Sequence, residues 1–507
     1  MAGEPPDREE RERIVRELDA SVLVEAGAGS GKTTSLVDRM LALIGEGRGT
    51  VERMAAVTFT RKAAAELKGR FQVGLEQAVR SEADPERKAR FGRALASLER
   101  LFAGTIHAFC ARLLRERPVE AGLDPDFTEL EEDEDQALRE ACWSEYLSTL
   151  HLEGAPVLER VLDLGLDPFA LQGAYEAVAL FPEVEAVREE VEEPDLSGVR
   201  EKLEAYLDLV RKDLPEEPPP GGWCPLQSVL RSALLRVRHL DWGHNPSLVQ
   251  VLQGLESRAH VTLNRWPDPE TARGQQAAFE GFRDGVVAWA LDAWRRYCHA
   301  PILDLVVPAV EHYRKRRERE STLNYNDLLS RAAALVRENP EVRGYFQRRF
   351  THLLVDEFQD TDPIQAEMIL LLAGEGVEKT SWRKVRVRPG ALFVVGDPKQ
   401  SIYRFRRADI DTYNEVKGVL ERSGGTVLAL TANFRSLPPV CDWANRVFQG
   451  AFPPESTDVQ AAFERLDPYR EAREGGVRRI LLPRVYGHSQ QEIVRQDAAR
   501  IADFIAR

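Results

Sequence analysis

Ala26-Gly27-Ala28-Gly29-Ser30-Gly31-Lys32-Thr33 lies between an apolar run, Ser21 to Ala26, and an amphipathic run, Thr34 to Ile44. The order is strand, phosphate loop, helix. The glycines let backbone N–H groups converge on an anion, Lys32 reaches the β- and γ-phosphates, and the Thr33 hydroxyl ligates Mg²⁺ at the helix N-terminus. Ala26 holds the place of the first glycine in the general pattern. The flanking strand and helix separate this motif from a glycine-rich turn without a ligand, so a nucleoside triphosphate site is expected.

Working outward, Met54 to Thr60 reads as a second buried strand and Arg61 to Leu67 as a helix start. A helical stretch from Pro85 to Leu101 leads to Ala103 to Cys110, a strand end and loop before a helix over Ala111 to Arg117. This βαβα spacing predicts an α/β fold with a parallel sheet. From 118 to 322 the grammar becomes helical, with a loop near Lys212 to Pro225. Two charge runs there, the acids Glu131 to Asp135 and the basic stretch His312 to Arg319, are expected to be solvated faces. The sheet pattern returns at Thr351 to Glu357 (THLLVDE), an apolar strand ending in two acids. Asp356 is the candidate metal ligand and Glu357 the candidate general base.

A further strand, Ala391 to Gly396, precedes Lys399 to Arg407, where Lys399, Arg404, Arg406 and Arg407 alternate with Tyr403 and Phe405 and no acid intervenes. Rings for bases and cations for phosphates suit single-stranded nucleic acid. Val427 to Ser436 reads as a strand ending in an arginine. A helix over Pro438 to Phe452, a strand-like run over Val477 to Val485 and a helix over Gln490 to Arg507 follow.

Composition limits what such a site can belong to. With 507 residues and 43% hydrophobic content, more than one domain is expected. The formal charge of -14 argues against indiscriminate nucleic-acid adhesion while leaving room for a local basic track. The five cysteines form no CxxC pair, and His107 with Cys110 alone makes no zinc site. No run is long and apolar enough for a membrane span, and the charged N-terminus is unlike a secretory signal, so a cytoplasmic location is expected.

The series AGAGSGKT, TFTRKAAAEL, GTIHAF, VDEFQDT, VGDPKQSIYRFR and LTANFRS resembles the ordered motifs of UvrD-like superfamily 1 DNA helicases, over residues 7 to 507. VGDPKQSIYRFRRAD and the long helical insertion are closer to the AddA and RecB branch than to UvrD or Rep. The resemblance implies two RecA-like domains that clamp ATP with Mg²⁺ and step 3′ to 5′ along single-stranded DNA in repair and recombination. It implies domain segments of 1–117, 118–322, 323–426 and 427–507, the last an incomplete second RecA-like domain.

By the same resemblance, Ala26 to Thr33 hold the phosphates, and Lys32, Asp356 and Glu357 keep the roles above. Gln400 senses the γ-phosphate, Phe434 stacks on adenine, and Arg435 reaches the γ-phosphate. Phe59, Thr60, Thr105, His107, Tyr403, Phe405 and Arg406 line the DNA track, though His107 serves equally well as a structural hydrogen-bonding residue. Arg11 stands where the family commonly has an adenine-reading glutamine.

The sequence reaches Arg507 before the family's later motifs, and no nuclease-like acidic motif is read in it. The expectation is therefore an N-terminal motor part that binds ATP and single-stranded DNA without unwinding duplex by itself. Implied partners are single-stranded DNA, tailed duplex, and a second chain completing the motor or supplying nuclease activity; no membrane is implied. The alternative is a nucleotide-dependent DNA-binding or scaffold subunit with little turnover.

Overall fold

The apolar run before the phosphate loop becomes a buried strand, β1 (Val22–Ala26), and five similar runs join it in one sheet. They are β2 (Met54–Thr58), β3 (Phe102–Thr105), β4 (His352–Val355), β5 (Leu392–Gly396) and β6 (Thr426–Leu430). This computed structural model describes residues 4–506 except 183, 240, 377–380, 403–408, 458, 459, 472–475 and 481–488. The strand order is β3-β2-β4-β5-β1-β6, and every neighbouring pair is parallel. A parallel sheet is covered on both faces, which is why these strands are apolar throughout rather than alternating. The expected α/β class with a parallel sheet is the class observed.

Helices α1 (Arg8–Arg16), α2 (Lys32–Gly45) and α3 (Arg61–Ser81) supply one side of the core. Ile14, Leu36, Met40, Leu43, Leu67 and Phe71 pack with Val22, Val24 and Val395 of the sheet. Because the strands are parallel, all their C-terminal ends lie along one edge, where ligands of open α/β sheets bind. The phosphate loop follows β1 there, Asp356 follows β4 and Asp397 follows β5.

Several local expectations are corrected. Helix α4 (Ile106–Glu116) starts directly after β3, so His107 is helical rather than in a loop before Ala111. The Thr105 side chain explains the early start, since its Oγ1 accepts from the Ala108 N–H at 3.2 Å and caps the helix. The run Val427 to Leu430 does not open a second sheet. It pairs with β1, from Val22 opposite Thr426 to Ala26 opposite Leu430. An apolar strand pattern carries no information about which sheet it joins. No described residue of the expected strand over Val477 to Val485 is in a strand.

The chain divides into two compact units, residues 1–126 with 327–507, and residues 127–326, against the expected insertion of 118–322. The second unit is helical, and its first and last segments meet in a short parallel strand pair, Thr128–Glu129 with Thr322–Leu323. Within it, Asp135 departs from the solvated-face expectation. It is buried, salt-bridged to Arg139, and accepts from the Tyr313 hydroxyl and from Asn324 Nδ2 at 3.2 Å. One turn into its helix, the fifth acid of the run points into the core while the first four open the helix. Tyr313 and Arg317 of the basic run are buried as well. Among the described residues no helix is long and apolar enough to cross a membrane, and all five cysteines are buried free thiols.

Candidate nucleotide site

Gly29 and Gly31 hold left-handed backbone, with φ of 78° and 87°, which turns the loop back on itself to start α2 at Lys32. A Cβ on Gly29 would sit 2.6 Å from the Arg435 Cβ, so this glycine also permits close approach of a later segment. Ala26 ends β1, fully buried and without positive φ, so nothing in the fold requires glycine there. Ser30 Oγ donates to the Gly27 carbonyl at 2.7 Å and fixes the loop. These contacts leave Lys32 and Thr33 at the first turn of α2.

Lys32 Nζ lies 2.7 Å from Glu357 Oε2, an ion pair across 325 residues of sequence. Glu357 has φ of 52°, one of two described non-glycine residues with positive φ. Such backbone is uncommon for a glutamate and collects at functional sites. Gln359 Nε2 donates to Glu357 Oε2 at 2.8 Å, while Gln359 Oε1 accepts from the Asp397 N–H at 2.9 Å. Gln400 Nε2 donates to Asp397 Oδ2 at 2.7 Å. Lys32, Glu357 and Gln400, three of the residues singled out in the sequence, thus belong to one hydrogen-bonded chain joined by Gln359 and Asp397. The sequence alone gave neither of these two a role, although they lie inside VDEFQDT and VGDPKQSIYRFR. Ser401 Oγ donates to the Gln359 carbonyl at 3.1 Å, anchoring the start of the basic and aromatic segment. Tyr403, Phe405 and Arg406 lie outside the described residues.

The later segment closes on the loop in the same unit. Asn433 Nδ2 donates to the Ala28 carbonyl at 2.6 Å and the Phe434 N–H to the Gly29 carbonyl at 2.8 Å. Asn433 Oδ1 accepts from the backbone N–H groups of Arg435 (3.0 Å) and Ser436 (2.7 Å). Asn433, buried and not singled out from the sequence, therefore fixes the backbone from which Arg435 projects. A buried amide that bonds a phosphate loop has no signature beyond its motif.

Of the candidate DNA residues, Thr58 at the end of β2 is opposite Thr105 at the end of β3, which brings Phe59 and Thr60 beside Thr105 and His107. Phe59 is 39% exposed, an unusual position for a phenylalanine beside a buried strand. Thr60 and Thr105 both cap helices through their hydroxyls. Burial pushes the His107 imidazole down to about 4, so it is neutral at physiological pH and brings no charge to a phosphate.

Burial, and then the neighbouring Glu357 carboxylate, push Asp356 up to about 6; the same two causes raise Asp360 to about 6. Asp360 Oδ1 is buried without a hydrogen-bond partner among the described residues. Carboxylates held in this way fit a divalent cation, and Mg²⁺ takes one or two of them together with substrate phosphates.

The shift also has a sign for stability. Between about pH 4 and pH 6 the folded chain keeps protons that the unfolded chain has released, so this contribution falls as pH rises through that window. Asp356→Asn is expected to stabilise the nucleotide-free protein at pH 7.5 by about 1 to 3 kcal/mol, with the gain shrinking towards pH 4. Thermal melts at the two pH values check it; an equal or larger gain at the lower pH would contradict the assignment.

A parallel sheet with a phosphate loop and a strand-end acid pair along one edge is the architecture of a RecA-like P-loop domain. The chain belongs to the UvrD/REP helicase N-terminal domain family, whose profile matches residues 7–420. This bears out the resemblance of its motif series. Among curated proteins it is similar to an ATP-dependent helicase/nuclease subunit of Enterococcus faecalis, 28% identical over 482 residues, covering 85% of this chain and 37% of that protein. The protein of the same name from Geobacillus kaustophilus is 28% identical over 487 residues, covering 84% and 38%. That of Listeria monocytogenes serotype 4b is 26% identical over 481 residues, again covering 84% and 38%. The chain therefore spans under two fifths of the length of these relatives.

Proposed function

We propose that this chain carries the nucleotide-hydrolysing part of a DNA helicase or translocase that uses ATP and Mg²⁺ to move 3′ to 5′ along single-stranded DNA in repair and recombination. The observation that carries the reading is the hydrogen-bonded chain Lys32–Glu357–Gln359–Asp397–Gln400. It ties the phosphate loop to the segment leading into Tyr403, Phe405 and Arg406.

In this reading an incoming γ-phosphate draws Lys32 away from Glu357, which frees the carboxylate to take a proton from the attacking water. Thr33 and Asp356 would hold Mg²⁺, which supplies charge neutralisation on the phosphates. Once Lys32 has moved, Gln359 still holds Glu357, and through it Asp397 and Gln400 feel the state of the site. Phe59, Thr105 and neutral His107 line the DNA side with Tyr403, Phe405 and Arg406. The relatives are named as subunits, which supports a second protein chain as partner. A cytoplasmic location completes the reading.

ATP hydrolysis measured with and without single-stranded DNA tests it. Stimulation by DNA is expected, and Lys32→Ala is expected to weaken ATP binding at least about a hundredfold, because charge-assisted contacts to phosphate are lost. Unchanged affinity in that variant would remove the nucleotide assignment. A DNA-independent rate would remove the motor.

A further inference from the structure

The sheet has a second edge, opposite the one that carries the phosphate loop, where the parallel strands begin. There the loop after α2, the turn Val51–Arg53 before β2 and the end of the helix Pro340–Arg349 surround an open cavity of about 740 Å³. Arg48, Arg53, Arg348 and Arg349 line it, with Glu52 as the one acid. In a chain whose formal charge is -14, such a concentration of cations runs against the composition.

Most of that charge meets no carboxylate. The Glu52 side chain is engaged by Thr50 and Ser97, and the Arg349 guanidinium donates to the Glu52 carbonyl instead. Arg48 pairs with Asp19 at 3.1 Å. Arg53 and Arg348 are exposed, and among the described residues neither forms an ion pair. Two buried arginines stand behind the cavity. Arg39 donates to the carbonyls of Ile14 and Ala20, and Arg388 to those of Gln347 and Leu372, neutral partners that leave both charges uncompensated. Burial pushes Arg39 down only to about 10, so it stays charged at neutral pH. Their field reaches the cavity wall, where burial and then Arg39 and Arg388 push the His352 imidazole down to about 4. A structural role accounts for part of the set only, since the helix end that Arg348 and Arg349 complement carries about half a negative charge.

What the cavity lacks selects the ligand. Small-molecule pockets of this size are walled mainly by apolar and aromatic side chains, and the cores of protein interfaces are rich in aromatics too. Among the described residues no exposed large hydrophobic side chain lies on this wall, and the Tyr345 ring, which does, has Arg117 over it at 3.9 Å. A single strand would need rings for its bases. Guanidinium forks without rings fit phosphates alone, and duplex DNA presents its phosphates with the bases stacked inside. We infer that this edge is a second DNA-binding surface, which holds duplex DNA by its phosphates without reading sequence, apart from the single-strand track at the other edge. The choice of DNA among polyanions rests on the motor reading above; the cationic site does not.

The test is fluorescence anisotropy of a labelled blunt-ended duplex, and of a single strand of equal length, titrated with the 507-residue chain over a range of salt. R53Q/R348Q removes two exposed cations. Duplex affinity is expected to fall at least about tenfold at low salt, and the slope of log K against log salt to become shallower by about 2, since each phosphate contact contributes about 0.9. Single-strand affinity and ATP hydrolysis without DNA should change less than about twofold. R348Q alone should give about half of the slope change, and decides the matter if thermal melts show the double variant unfolded.

An unchanged duplex slope in folded R53Q/R348Q overturns the inference. So does an equal loss for single strand and duplex, which would put these arginines on the single-strand track. If poly-glutamate binds in a manner that depends on Arg53 and Arg348 while duplex does not, the surface takes an acidic protein and the inference falls. Hydrolysis stimulated by single strands without duplex binding sinks it and leaves the motor standing. Duplex binding that needs both arginines, in a chain that hydrolyses no ATP, does the reverse.

Discussion

Glu357→Gln is expected to reduce ATP turnover by on the order of 10² to 10⁴ while tightening ATP binding several-fold. The first effect follows from chemistry, because an amide takes no proton from water. The second follows from the 2.7 Å ion pair between Lys32 and Glu357. In the nucleotide-free chain Lys32 already has an anionic partner, and phosphate binding must replace it. Removing the carboxylate charge releases Lys32 and takes one negative charge away from the approaching triphosphate. Single-turnover hydrolysis combined with equilibrium titration of a fluorescent ATP analogue separates the two effects. Turnover within tenfold of the unaltered chain would mean that another group activates the water, with Asp360 the next carboxylate to examine.

Arg435→Ala is expected to slow hydrolysis by on the order of 10³ or more with ATP affinity changed less than tenfold. Arginines at a transferring phosphoryl group are worth about 10³ to 10⁵ in rate in phosphate-loop enzymes, because they meet charge that develops only in the transition state. Here the backbone of Arg435 is fixed by Asn433, which also holds the Ala28 carbonyl of the loop. The residue is exposed, with its Cβ against Gly29. A variant that loses affinity but keeps its rate would make Arg435 a binding residue instead. Asn433→Ala should reproduce part of the rate loss, since it frees the backbone from which Arg435 projects.

The sheet and the phosphate loop were legible because each rests on local chemistry. Continuous apolar runs make buried parallel strands, glycines allow the loop, and two acids end a strand. What was not legible depends on partners far apart in the chain. The pairing of Thr426–Leu430 with β1 follows from register, which the run VLAL does not encode. Asp135 looks like one more surface acid until Tyr313 and Asn324 are brought to it. The helix start at Ile106 was readable in principle, since Thr105 followed by an apolar run is a capping signal, but the strand before it masked the boundary. Gln359 and Asp397 stood inside recognised motifs, and only their geometry gives them a place between Glu357 and Gln400.

The strand order also fixes a schedule for the ribosome. β2 and β3 can pair as soon as both have been made, but the neighbours of β1 are β5 and β6, which are encoded near the other end of the sheet's sequence. At about 5 to 20 residues per second, the stretch separating Ala26 from Leu392 takes on the order of 20 to 70 seconds to synthesise. Throughout that interval the strand carrying the phosphate loop has no partner, while the helical unit of residues 127–326 is completed first and carries its own core. The nascent chain consequently reaches its nucleotide-competent state last, and until then β1 is an unpaired apolar segment of the kind that chaperones hold.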